Sequence, residues 1–172
     1  MTPLSPEERQ AATLAEAIVR RSGSSFRLGM RTLPPARRQA IYAVYAFCRI
    51  IDDIADEPGD LDLRQTRLDG WRTEIDRLYR NAPSTEPLSP ALRSAIRTYH
   101  LPRSEFEALI DGMEMDLQGR NIAPSMAELT LYCRRVAGAV GLLSVRCFGA
   151  EEPEADAMAL ALGDALQLTN IL

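Results

Sequence analysis

The chain has 172 residues, 46% hydrophobic and 26% charged, enough for one compact domain with a core of its own. A formal net charge of −4 gives no overall basic field, which argues against a nucleic-acid binder. With one histidine, His100, and three cysteines, no zinc-binding spacing exists, and no run reaches the ~18 apolar residues of a membrane span.

The N-terminus, MTPLSPEERQ, is acidic and has no apolar signal core. A cytoplasmic protein is expected, with peripheral contact to a membrane still open to it. Ser5-Pro6-Glu7-Glu8 predicts a helix start, with Ser5 as N-cap, Pro6 at the first helical position and Glu8 closing a capping box. That helix runs to about Arg21, and Ser22-Gly23-Ser24-Ser25 breaks it before Phe26. Pro34-Pro35 opens a longer helix that Pro58-Gly59 ends. Residues 62–80 repeat apolar positions at helical spacing, and Asn81 to Pro90, with three prolines in ten residues, predicts a loop. Helices follow at about 90–98, 103–118, 125–148 and 153–172, the third opened by a second capping box, Ser125-x-x-Glu128. No segment alternates with period 2, so the expected class is all-α. Cys48, Cys133 and Cys147 sit in apolar helical segments and predict buried free thiols in a reducing compartment. All 20 basic residues are arginine, a composition bias that says little about mechanism.

Three helical stripes carry candidate chemistry. In YAVYAFCRIIDDIADEP, Tyr45, Arg49, Asp52 and Asp56 fall at i, i+4, i+7 and i+11, about three turns apart in all, so they share one stripe. Ile41, Val44, Phe47, Ile50, Ile51 and Ile54 surround them, which predicts much burial. Two buried carboxylates one turn apart favour a divalent cation between them, and magnesium held by carboxylates, waters and phosphate oxygens is the expected species. A solvated acidic helix end fits the same spacing. Arg49 is suited to grip a diphosphate, or simply to pair with Asp52 or Asp53 along the helix.

In LYCRRVAGAVGLLSVRCFG, Tyr132, Val136 and Val140 recur at four-residue steps, while Gly138 and Gly141 cost about 1 kcal/mol each in a helix. Close helix packing or a bound ligand would compensate. Gln167 and Asn170, at i and i+3 among Leu and Ile, fit a buried hydrogen-bonded pair or ligand contacts. Glu114 and Asp116 point to different faces and make a weak metal pair.

Together these segments resemble the squalene/phytoene synthase family of head-to-head prenyltransferases. Ser24-Ser25-Phe26 is similar to the motif beside the family's flexible diphosphate-binding loop. YAFCRIIDDIAD is similar to its first aspartate-rich helix, LYCRRVAGAVG to the helix lining its prenyl cavity, and LGDALQLTNIL to the start of its second aspartate-rich helix. GMEMDL and SVRCFG are most similar to the bacterial presqualene diphosphate synthases of hopanoid biosynthesis.

The resemblance implies an isoprenoid synthase fold and a Mg2+ cofactor bound at Asp52 and Asp56. It implies catalytic roles for Tyr45, Arg49 and Tyr132. Prenyl diphosphate contacts would fall at Ser25, Phe26, Tyr45, Arg49, Val136, Val140, Gln167 and Asn170. The expected activity is condensation of two farnesyl diphosphates to presqualene diphosphate. Alternatives are a phytoene synthase using geranylgeranyl diphosphate and a squalene or dehydrosqualene synthase. In another class altogether stands a non-catalytic relative acting in assembly. The family's second aspartate motif would begin beyond Leu172. On that expectation residues 1–172 are the N-terminal part of a single isoprenoid synthase domain, and can lack activity alone for want of half the metal site.

Overall fold

The computed structural model describes residues 4–119 and 124–171; Leu172, where the expected truncation falls, lies outside them. Helix α1 (Pro6–Arg21) starts as its sequence predicts. Ser5 Oγ accepts from Glu8 N at 3.1 Å, and Glu8 accepts from Ser5 N at 2.7 Å. A short helix, α2 (Phe26–Arg31), follows where the Gly/Ser break gave no helical expectation. It survives on tertiary packing: it sits against α3 (Pro35–Asp56), and Arg38 donates to the Arg31 carbonyl at 3.3 Å.

Helix α4 (Leu61–Tyr79) is capped by Asp60, which accepts from Asp62 N at 2.9 Å. Helix α5 spans Ser89–Tyr99, beginning inside the stretch expected to be loop. Pro90 falls in its first turn, where a missing N–H costs nothing. Helix α6 (Arg103–Leu117) and helix α7 (Met126–Cys133) follow, the latter opened by the predicted Ser125–Glu128 capping box. The expected continuous helix over 125–148 is interrupted. Arg134–Gly138 forms a π turn before α8 (Ala139–Phe148) resumes. Helix α9 covers Pro153–Ile171. Among the described residues every regular element is helical, as expected, and no helix is long and apolar enough to cross a membrane.

Helix α3 runs through the centre, packed by α1, α5, α4, α6 and α8. Its middle is buried nearly all round, from Ala40 to Phe47 and again at Ile51, Ile54 and Ala55. Phe47 meets Trp71 and Phe106 edge-on, with centroids 5.4 and 5.2 Å apart, so α3, α4 and α6 interlock at one aromatic cluster. The cysteines are free, and burial pushes the Cys48 and Cys147 thiols up to about 12, which keeps them protonated and unreactive.

Candidate active site

Helix α3 is unbroken from Pro35 to Asp56, so Tyr45, Arg49, Asp52 and Asp56 do share a face. The expectation that this face is buried needs correction. Tyr45 and Asp52 are half-buried, while Arg49 and Asp56 are exposed. The surrounding isoleucines divide differently: Ile51 and Ile54 turn into the core while the acidic stripe turns away from it. Arg49 makes both of the intrahelical pairs its spacing allows, to Asp52 at 3.0 Å and Asp53 at 2.5 Å. Such exposed pairs are worth little, so the guanidinium is free to exchange partners at small cost.

The far end of α3 is held from α4. Arg64 donates to the Ala55 carbonyl at 2.9 Å, and Arg67 pairs with Glu57. These contacts fix the last turn, which carries Asp56. Asp52 has its carboxyl raised above the ordinary range, first by burial and then by the adjacent Asp56, against the lowering effect of Arg49.

Tyr132 belongs to the same electrostatic group. Burial raises its phenol most, followed by Asp116, and the carboxylates of Asp52 and Asp56 push in the same direction. Its hydroxyl donates to Asp116 Oδ2 at 2.9 Å, joining α7 to α6. In the sequence Asp116 stands out only as half of a weak metal pair with Glu114. The 16-residue separation gives no local signal of this bond. Glu114 does point elsewhere, accepting from Arg72 at 2.8 Å and Gln65 at 3.0 Å.

Two residues beyond Tyr132 the π turn begins, and it is clamped: Arg134 grips the buried Glu105 with two bonds of 2.8 and 3.0 Å. A π turn inserts a residue into the helix, so the four-residue steps from Tyr132 to Val140 do not form a straight stripe. Val136 and Val140 are half-buried against the core, and a Cβ on Gly112 would meet Val136 Cγ1 at 2.6 Å.

Gly138 and Gly141 serve close packing. A Cβ on Gly141 would lie 2.8 Å from the Ala159 carbonyl oxygen, and one on Gly163 would lie 2.9 Å from the Ala137 carbonyl carbon. Helix α9 therefore rests directly on the π turn and α8. On α9, Gln167 is half-buried and Asn170 exposed, which overturns the buried amide pair. Ser25 and Phe26 are exposed at the start of α2.

Among the described residues no three His, Cys, Asp or Glu gather as a metal-ligand set. Asp52 and Asp56 nevertheless suit a hard cation whose other ligands are water and phosphate oxygens, because Asp56 already makes Asp52 costly to ionise. Two hollows of about 260 Å³ lie elsewhere. One is among α1, α3 and α5, lined by Ala12, Ala40, Ala95 and Tyr99. The other is bounded by Asp111, Glu114 and Arg135.

Residues 19–172 match the family model described as squalene/phytoene synthase. The chain is 51% identical over 150 residues to a presqualene diphosphate synthase of Sinorhizobium fredii, covering 87% of this chain and 53% of that one. It is 36% identical over 190 residues to a 15-cis-phytoene synthase of Synechococcus elongatus, covering 100% and 61%. Its fold superposes on the crystal structure of a squalene synthase from Alicyclobacillus acidocaldarius with a TM-score of 0.85 at 32% identity, covering 97% of this chain and 62% of the other. The chain thus spans about half the length of the presqualene diphosphate synthase it matches.

Proposed function

The chain belongs to the squalene/phytoene synthase family and has the isoprenoid synthase fold, and on that premise we propose that it acts in the magnesium-dependent head-to-head condensation of two farnesyl diphosphates to presqualene diphosphate. The observation that carries the choice of product is its identity of 51% to a presqualene diphosphate synthase against 36% to a phytoene synthase. On this reading residues 1–172 are the N-terminal part of a single isoprenoid synthase domain, cytoplasmic and in peripheral contact with a membrane.

Asp52 and Asp56 would hold the metal together with the substrate's diphosphate. Bound magnesium supplies positive charge that draws electrons from the leaving diphosphate. Arg49, released from Asp52 and Asp53, contacts that diphosphate as its carbon–oxygen bond breaks to leave an allylic cation. Tyr45 and Tyr132 border the reacting carbons. Val136 and Val140 line the prenyl chain, with Ser25 and Phe26 at the mouth and Gln167 and Asn170 on the polar side. An apolar surround is required so that the double bond of the second substrate, rather than water, captures the cation. Loss of a proton then closes a cyclopropane, giving presqualene diphosphate and free diphosphate. What supports placing Tyr132 beside the aspartates is that the carboxylates of Asp52 and Asp56 act on its phenol.

Product analysis tests it. The protein is incubated with magnesium and farnesyl or geranylgeranyl diphosphate, with and without NADPH, and products are identified by mass. Presqualene diphosphate without NADPH is expected; phytoene from the C20 substrate would overturn the assignment.

A further inference from the structure

Between Glu16 and Asp52 the chain has no acidic residue, yet it carries Arg20, Arg21, Arg27, Arg31, Arg37, Arg38 and Arg49. Positive charge is thus concentrated in one segment of a chain whose net charge is −4. Among the described residues, every arginine in an ion pair lies at Arg49 or beyond. The six between Glu16 and Arg49 make none. They sit on the last turn of α1, on α2 and on the first turn of α3, three elements joined by short connections at one corner of the bundle. Arg20, Arg21, Arg31 and Arg37 are exposed. Within this basic corner α2 presents Leu28 at 72% exposure and Phe26 at 59%, although Met30 of the same helix packs on the core.

We propose that the α1–α2–α3 corner is the surface by which the protein docks on an anionic lipid bilayer. The arginines would face the headgroups, and Leu28 would enter the boundary between headgroup and acyl chain. This names the surface for the peripheral contact proposed above and rests on that contact. Charge complementarity selects the occupant: a run of arginines that make no ion pair, with no acidic residue between Glu16 and Asp52, is drawn to anionic lipid. An exposed aliphatic side chain on the helix that carries Arg27 and Arg31 suits a bilayer and has no use on a nucleic-acid backbone. Docked this way, the protein would hold α2 and the start of α3 against the phase in which long prenyl chains dissolve.

Vesicle flotation of the 172-residue protein tests the proposal, using phosphatidylcholine vesicles with and without 30% phosphatidylglycerol (an amount of about a third, enough for a strongly negative surface). Each arginine at such a surface contributes about fivefold in partitioning. Binding to the anionic vesicles alone is expected, and the R21Q/R31Q variant should bind about thirtyfold more weakly. L28S should weaken binding at unchanged charge. R21E/R31E should abolish it, with far-UV dichroism confirming that each variant keeps its helices. Equal flotation with neutral vesicles would overturn the proposal, as would wild-type flotation of R21Q/R31Q or binding to a DNA duplex as tight as to lipid. Failure to float with any vesicle would remove the peripheral contact as well, whereas a product analysis yielding no presqualene diphosphate would leave the docking surface intact.

Discussion

Tyr132 donates its hydroxyl to Asp116 at 2.9 Å, and this bond ties α7 to α6 just ahead of the π turn. Burial and the carboxylates of Asp116, Asp52 and Asp56 all raise the phenol above its ordinary value. A raised acid contributes stability that is complete below the unfolded value of about 10 and is lost as pH rises toward the folded one. Tyr132→Phe should therefore flatten the decline of stability above about pH 10. Denaturant melts of the two proteins at pH 8, 10 and 11 measure this. Parallel declines would mean that Tyr132 titrates alike in both states.

Glu74 is 1% exposed between α4 and α5. It accepts from Ser89 Oγ at 2.5 Å, from Thr85 N and Oγ at 3.2–3.3 Å, and from Arg77 at 3.2 Å. Burial would raise its carboxyl, but these bonds from Ser89, Thr85 and Arg77 outweigh burial and hold it below the usual value. Stability from a lowered acid is present above its unfolded value and lost as pH falls through the folded one. Glu74→Gln should cost about 1–3 kcal/mol at pH 7 and make stability less steep in pH below about 4.5. Urea melts at pH 7, 4.5 and 3 decide it; an unchanged slope below pH 4.5 would count against the bonds.

Much of this fold is legible in its sequence because its helix ends are chemically explicit. Ser5 and Ser125 each supply a complete capping box, and Pro35, Pro90 and Pro153 all occupy first turns. The isolated Asp stripe was legible as a shared face, since α3 keeps helical periodicity throughout. Its exposure was not, because a ring of isoleucines has the same spacing whether the polar face turns in or out. The π turn is invisible to a 3.6-residue period, and it packs against α6 and α9 at Gly112 and Gly163, 24 and 26 residues away from Val136 and Ala137 respectively. Pairs such as Tyr132–Asp116 arise only when α6 and α7 are brought together.

Glycines in this chain should separate sharply on mutation. A methyl at Gly163 would sit 2.9–3.0 Å from the backbone of Ala137 and Gly138. Backbone cannot rotate away, so Gly163→Ala should force α9 off the π turn and cost about 1–3 kcal/mol. Gly70, inside α4, has nothing within 4 Å of such a methyl. Gly70→Ala should stabilise by about 0.5–1 kcal/mol through helix propensity alone. Thermal melts of the two variants should move in opposite directions; a shared direction would refute the packing of α9 described above.

Asp52 should show opposition between stability and function. Its carboxyl is raised first by burial and then by Asp56, so the ionised form is destabilising in the protein without metal. The sign follows: stability is complete below the unfolded value of about 4 and declines as pH rises through the folded value. Removing the charge at pH 7 should then help the fold. Because the side chain is 41% exposed, solvent screens most of the effect, and Asp52→Asn should raise Tm by only about 1–2 °C. The same change would remove half of the carboxylate pair proposed to hold magnesium, and diphosphate release from farnesyl diphosphate should fall by about 10²–10³-fold. Asp56→Asn relieves Asp52 from the other side and should behave alike in both assays. Calorimetry without magnesium and a diphosphate-release assay with it give the two readouts. A lower Tm for Asp52→Asn would place the Arg49 pair above the Asp56 repulsion, and unchanged turnover would remove Asp52 from the metal site.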